Sequence, residues 1–313
     1  MAFKFLAKHG KTCFYTPLNV CLFSNISGVE MSYTIYGENN RKASPLIIMH
    51  GLLGSQRNWK SVARALENKV DRMIFTVDAR NHGDSPHTPE HSSAHMAVDI
   101  IKLMKNKGIA KTCLMGHSMG GRAMMHLTLK HPDLVEKAII IDISPISVPR
   151  DFDQMERTFQ AMESIDIPVK HSLSQGRKIA ENQIKDAVRN QATVDFILMN
   201  LKKRDNGDCM RTIDNYAEDA KLCGFHWIPN VYTLHKNLRL FDDFLSHVKN
   251  VPPFEGEVMF ICGNQSNFVD PKSWPQIKKI FPNAELHWLD AGHLVHFDQP
   301  EKFKNLVVQF LNR

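Results

Sequence analysis

The sequence predicts an α/β fold built around a mostly parallel sheet. Short apolar runs alternate with stretches of helical periodicity from about residue 30 to 145, and again from about 253 to the C-terminus. That alternation builds βαβ units. The apolar runs PLIIMHG, TCLMGHS and KAIIIDIS are nearly continuous rather than alternating, as strands covered on both faces require. The pattern breaks between about 146 and 252, where strand signals almost vanish and the chain becomes polar and helix-like. The expectation is one large domain of 313 residues carrying a helical insertion over one edge of the sheet.

MSYTIYG and PLIIMHG read as strands with GENNRKASP as the turn between them. A helix follows over 59–66, then the strand RMIFTVDAR, ended by NHGDSP. Met96, Ile100, Leu103 and Met104 share one face of a helix over 92–107. TCLMGHS is a strand, 119–130 a helix and KAIIIDIS a strand. EVMFICGN and ELHWLD are the last strands, and EKFKNLVVQFL closes the chain as a helix. Inside the insertion, Phe152, Met155, Phe159 and Met162 fall near helical spacing, as do Val188, Ala192, Phe196 and Met199. Both stripes read as core packing rather than a cofactor site.

Composition excludes several classes. Hydrophobic residues at 43% and charged residues at 23% are globular values, far from those of a disordered chain. There is no run of about 18 apolar residues, so no membrane-spanning helix is expected. Cys13, Cys21, Cys113, Cys209, Cys223 and Cys262 form no C-x-x-C and no metal-ligand spacing, and read as free buried thiols in a reducing compartment. The net charge is +6, and Lys4, Lys8 and Lys11 supply half of it in an acid-free segment over residues 1–29. Phe3, Leu6 and Ala7 can share one helix face there, which suggests a mitochondrial targeting segment, with a cytoplasmic location as the alternative. No Lys/Arg cluster interleaves with aromatics, so no nucleic-acid partner is expected.

The chemistry centres on Gly116-His117-Ser118-Met119-Gly120, which follows an apolar strand and opens a helix. This is the context of a nucleophile elbow, where a sharp strained turn lifts the serine Oγ out of the sheet. Glycines two residues either side remove side chains that would collide as strand and helix cross. A serine needs a base, and His293 in Leu289-Asp290-Ala291-Gly292-His293, after the last strand, is the candidate. His296 forms an H-x-x-H pair with it, but no third ligand accompanies the pair, so no metal is expected. Two main-chain donors should receive the oxyanion: Met119, and Leu52 in the His50-Gly51-Leu52-Leu53-Gly54 turn. His117 reads as packing that points away from the site. Asp78, Arg80 and Asp84 read as loop residues joined by salt bridges and hydrogen bonds beside it. Cys113 and Cys262 fall inside strands and read as core thiols.

In order along the chain, His50-Gly51, DARNHGDS (78–85), GHSMG (116–120) and the terminal AGH resemble the α/β-hydrolase superfamily. The resemblance runs from about residue 30 to the C-terminus. VDARNHGDSPH, GHSMGG, IDISP and NFVDP bring it closer to the abhydrolase domain-containing 11 esterases and their bacterial relatives. It implies an α/β-hydrolase core over 30–145 and 253–313, with helices on both faces of the sheet, and a helical cap over 146–252. It implies a serine hydrolase acting on small-ester or lipid-ester substrates without a cofactor. For animal members it also implies a mitochondrial location. An acyl thioesterase on the same scaffold, or a non-catalytic hydrolase-like binding protein, are the alternatives.

One feature departs from the superfamily's usual pattern. The acid usually stands in G-x-x-D after the penultimate strand, where this chain has Gly263-Asn264-Gln265-Ser266. Asp142, at the end of the AIII strand, is the favoured acid, since some members carry it there and α/β sites form at carboxyl strand ends. Asp270, four residues beyond Ser266, is a second carboxylate. Ser266 itself can support the histidine directly or through water. Asp142 as a mere cap of the Ser144-Pro145 turn is the alternative.

Overall fold

The computed structural model describes residues 26–40, 42–147, 152–188, 190–204, 224–241 and 244–313. Most of the expected targeting segment, and the stretch 205–223 with Cys209 and Cys223, lie outside the described residues, as do Cys13 and Cys21.

Seven strands form the main sheet: β1 (Tyr33–Tyr36), β2 (Leu46–Met49), β3 (Ile74–Val77), β4 (Thr112–His117), β5 (Val135–Ile141), β8 (Glu257–Gly263) and β9 (Ala284–Leu289). Their spatial order is β1-β3-β2-β4-β5-β8-β9. β1 runs antiparallel to β3, and every other pairing is parallel. The central strands are the apolar ones. Leu46 to Met49 are fully buried because one apolar cluster covers each face of the sheet. Helices α1 (Lys60–Leu66), α10 (Val295–Asp298) and α11 (Pro300–Leu311) pack on one face. The other takes α2 (Ser93–Lys107), α3 (Met119–Lys130), α8 (Phe244–Val248) and α9 (Trp274–Ile280). Helix α2 shows local dictation plainly. Ser92 caps its N-terminus by accepting from the His95 amide, and Gly108 ends it in a left-handed conformation.

Residues 27–29 are tied to the edge of this core by hydrogen bonds. Arg80 and Asp99 form a fully buried ion pair at 2.7 Å. The pair is completed by Arg80 Nη2 donating to the Ser27 carbonyl and the Val29 amide donating to Asp99 Oδ1.

Between β5 and β8 lie α4 (Phe152–Ser164), α5 (Leu173–Ile184), α6 (Gln191–Leu198), α7 (Val231–Lys236) and α8. A two-stranded antiparallel sheet of β6 (Leu201–Lys203) and β7 (Phe225–Trp227) joins them. The absence of strands expected from this stretch is therefore corrected. Three-residue strands leave no periodicity to read, and their pairing is set by tertiary contact. Residues 152–238 hold their own apolar cluster, which also takes in Leu53. Phe159 and Met162 are buried in it as expected, but Met199 is 55% exposed, because it follows the last turn of α6 on its solvent side.

Candidate active site

Ser118 stands between β4 and α3 at φ 51°, ψ −114°. A non-glycine residue there costs about 1–3 kcal/mol and persists only where its surroundings over-determine it. Here they do. The Ser118 amide donates to the Ile141 carbonyl at 3.0 Å, and the Arg122 amide donates to the Ser118 carbonyl at 3.1 Å. The flanking glycines are compulsory. A Cβ on Gly116 would lie 2.5 Å from the Gly120 carbonyl, and one on Gly120 would lie 2.6 Å from the His50 carbonyl.

Asp142 sits at the carboxyl end of β5, fully buried and also left-handed at φ 47°. Its Oδ2 accepts from His293 Nδ1 at 2.7 Å and from Ser266 Oγ at 2.5 Å. Its Oδ1 accepts from the Gly263 amide at 3.0 Å. A proton held at Nδ1 leaves Nε2 of the neutral ring with its lone pair free, the state a general base needs. Phe268 stacks on the imidazole at 3.6 Å. Gly263 has to be glycine because a Cβ there would meet the Gly292 carbonyl at 2.2 Å, and Gly292 precedes the histidine.

The two other candidates for the acid slot do not reach the imidazole. Asp270 caps its own turn by accepting from the Lys272 amide at 2.9 Å. Ser266 bonds the acid and not the histidine.

The oxyanion loop lies beside the serine, since a Cβ on Gly51 would come within 3.4 Å of Ser118 Cβ. The Gly51 carbonyl accepts from His50 Nδ1 at 2.7 Å and from the Gly54 amide at 3.0 Å. A trans peptide points its N–H opposite to its C=O, so the Leu52 amide turns away from both. Among the described residues no acceptor is bonded to it. Met119 is the first residue of α3, and its amide has no partner inside the helix.

The neighbouring loop is knit as the sequence suggests, with different pairings. Asp78 accepts from the Gln56 amide, Gln56 Nε2 and the Asp84 amide. Arg80 pairs with Asp99, and exposed Asp84 with Arg57 at 3.5 Å.

Ser118, His293 and Leu52 line a cavity of about 730 Å3. Met155 and Phe159 of α4 and Phe196 and Ile197 of α6 also line it. Stripes read from the sequence as core packing thus also face a cavity. His117 corrects the expectation that it points away, because it too lines the cavity. Its Nε2 donates to the His293 carbonyl at 2.9 Å, bracing the loop that carries the base. Burial holds the His117 imidazole well below its usual range, with His293 and His296 beside it adding to the effect. His296 stacks on Trp59 at 4.3 Å, and burial lowers it to about 3. Cys113 and Cys262 are buried free thiols. Burial raises Cys113 to about 12, and Cys262 well above its usual range with Asp142 adding to it.

A family model described as the alpha/beta hydrolase fold matches residues 44–300. The chain belongs to the α/β-hydrolase family. This hydrolase is 32% identical over 290 residues to the sn-1-specific diacylglycerol lipase ABHD11 of Mus musculus, covering 92% of this chain and 87% of the relative. The Danio rerio protein of the same name is 32% identical over 286 residues, covering 91% and 83%. Among solved structures, a marine microorganism esterase matches with a TM-score of 0.76 and 30% identity, over 90% of this chain and all of that one.

Sequence reasoning missed three side chains of the hydrolase's site. Phe268 stacks on the base, yet it sits in a loop with no periodic signal. Asn200 donates to the Leu53 carbonyl at 2.9 Å from the insertion, a contact 147 residues apart that no local pattern encodes. His82 accepts from the Leu53 amide at 3.1 Å. Its place in NHGDSP was a readable signal, but that motif points to a turn.

Proposed function

We propose that the protein hydrolyses carboxylic esters, of small acyl groups or glycerolipids, through an acyl-serine intermediate on Ser118. The observation that carries this is a strained Ser118 sharing one cavity with His293, whose Nδ1 is held on buried Asp142. His293 Nε2 takes the Ser118 proton as Oγ attacks the ester carbonyl, then returns it to the leaving alcohol. A water molecule, activated the same way, releases the acid. Asp142 fixes the tautomer and stabilises the imidazolium, and Ser266 holds the acid. The Leu52 and Met119 amides receive the oxyanion. The insertion over 146–252 serves as the cap, and its apolar residues at the cavity receive the acyl chain. The name of the mouse relative, a diacylglycerol lipase, supports glycerolipids within this class.

The basic, acid-free N-terminus supports import into the mitochondrial matrix. Because Ser27 and Val29 complete a buried ion pair, a cleaved leader ends before Ser27. A mature N-terminus found after Ser27 would refute that boundary.

The central test follows p-nitrophenyl ester hydrolysis and fluorophosphonate labelling of wild type and Ser118→Ala. Both signals should vanish in the variant. Folded wild type that neither labels nor turns over any ester or thioester overturns the proposal in favour of a binding role. Preference for thioesters would move it to thioesterase chemistry.

A further inference from the structure

Leu53 is the strained residue of the oxyanion loop, at φ 59°, and a β-carbon in that region needs outside support. Its support comes from two directions. The Leu53 amide donates to His82 Nε2 at 3.1 Å, while His82 Nδ1 donates to the Arg80 carbonyl at 3.0 Å. Only a neutral imidazole can hold both bonds, and burial keeps His82 neutral, with His50 and His91 nearby adding to the effect. The Leu53 carbonyl accepts from Asn200 Nδ2 at 2.9 Å. Asn200 is 8% exposed and sits where α6 passes into β6. Its own carbonyl accepts from the Ile228 amide, next to the Leu201–Trp227 pair of the β6–β7 ladder, so that pairing within the insertion locks its position.

Three consecutive peptides are therefore pinned. The Gly51–Leu52 peptide is held through its carbonyl by His50 and Gly54. The Leu52–Leu53 peptide is held through its N–H by His82. The Leu53–Gly54 peptide is held through its carbonyl by Asn200. Among the described residues, Asn200 supplies the hydrogen bond that joins the insertion to this loop.

We propose that Asn200 is a positioning residue for the oxyanion hole: by holding the Leu53 carbonyl from the insertion, it fixes the loop that aims the Leu52 amide at the reacting carbonyl. The inference rests on the ester-hydrolase reading above. Its consequence is that the oxyanion hole is complete only while the insertion is seated. Phe196 and Ile197, on the helix that ends two residues before Asn200, line the cavity. Contact between an acyl chain and α6 is thus transmitted to the catalytic loop over a few residues. A misplacement of about 1 Å at such a donor costs up to about a hundredfold in rate.

The test compares wild type, Asn200→Ala, Asn200→Asp and Ser172→Ala. Asn200→Asp keeps the side-chain shape and removes the donor. Ser172→Ala removes the N-cap of α5 within the same insertion, away from the loop, and serves as the control for loss of insertion stability. The readouts are kcat and KM on p-nitrophenyl butyrate, Ki for a trifluoromethyl ketone that forms a tetrahedral adduct, and melting temperature. Both Asn200 variants should lose about tenfold to a hundredfold in kcat, with KM within about threefold. The Ki should rise by the factor by which kcat/KM falls, because the adduct mimics the transition state. Ser172→Ala should retain wild-type kcat. The proposal is overturned if folded Asn200→Asp keeps its kcat, if KM rises while kcat holds, or if Ser172→Ala loses as much kcat as the Asn200 variants. Failure of the hydrolase reading is separate and shows as wild-type turnover that survives Ser118→Ala.

Discussion

Replacing Asp142 by asparagine tests the site at its most constrained point. The carboxylate is fully buried and takes three donors: His293 Nδ1 and Ser266 Oγ on Oδ2, and the Gly263 amide on Oδ1. Asparagine keeps the volume but offers one acceptor oxygen. The main-chain Gly263 donor cannot rotate, so it claims that oxygen and the NH2 falls opposite His293 and Ser266. Ser266 adapts, because a hydroxyl also accepts. The imidazole adapts only by moving its proton to Nε2, which leaves Nδ1 accepting and Nε2 unable to receive the Ser118 proton. The imidazolium also loses its counter-charge. The expected loss is about 10^4-fold in kcat, the size seen for the equivalent change in a serine protease triad. That corresponds to about 5.5 kcal/mol of barrier. The assay is p-nitrophenyl butyrate hydrolysis, with circular dichroism and a melting curve to show that the variant folds. A folded Asp142→Asn within tenfold of wild type, or a larger loss in Ser266→Ala, refutes this assignment of the acid.

Gly120→Ala would place a Cβ 2.6 Å from the His50 carbonyl and 2.7 Å from the Met49 carbonyl. It should cost at least about 1–3 kcal/mol of stability and abolish fluorophosphonate labelling, read by denaturation and gel. Arg80→Leu leaves Asp99 buried without its partner and should destabilise the fold by about 3–5 kcal/mol in urea denaturation. Adding Asp99→Leu should recover part of that loss, and a purely additive double variant would count against the ion-pair account. Burial lowers His91, His126 and His296 to about 3, whereas the unfolded chain protonates them near 6.5. These folded pKa values are depressed, so the stability they contribute is complete above about pH 6.5 and is lost as pH falls toward 3. Three such protons give a slope of about 4 kcal/mol per pH unit near pH 5, and a slope equivalent to less than one proton would refute the burial argument. Phe268→Ala removes the ring stacked on His293 and should lower kcat severalfold while labelling persists, checked by steady-state kinetics.

The strand-and-helix alternation and the elbow were legible in the sequence because both are local. A buried strand needs only a run of apolar residues, and the crossing of β4 and α3 needs only glycines at 116 and 120. The order of elements from Tyr33 to Ile141 and from Glu257 to Leu311 follows from that information. Asp142 could be named because an acid after three isoleucines reads as the end of a buried strand, and because the resemblance implies that some superfamily members carry the acid there. The sequence left open which groups complete its shell. Ser266 reaches the carboxylate across 124 residues, and that bond exists because β5 and β8 are neighbours in the sheet, a placement set by packing of both faces. The β6–β7 pair, the cavity wall on α4 and α6, and the Asn200 bond to Leu53 were likewise decided by tertiary structure. Each is a contact between elements whose individual sequences fix only their own faces, and the free energy that selects among possible partners belongs to the assembled core.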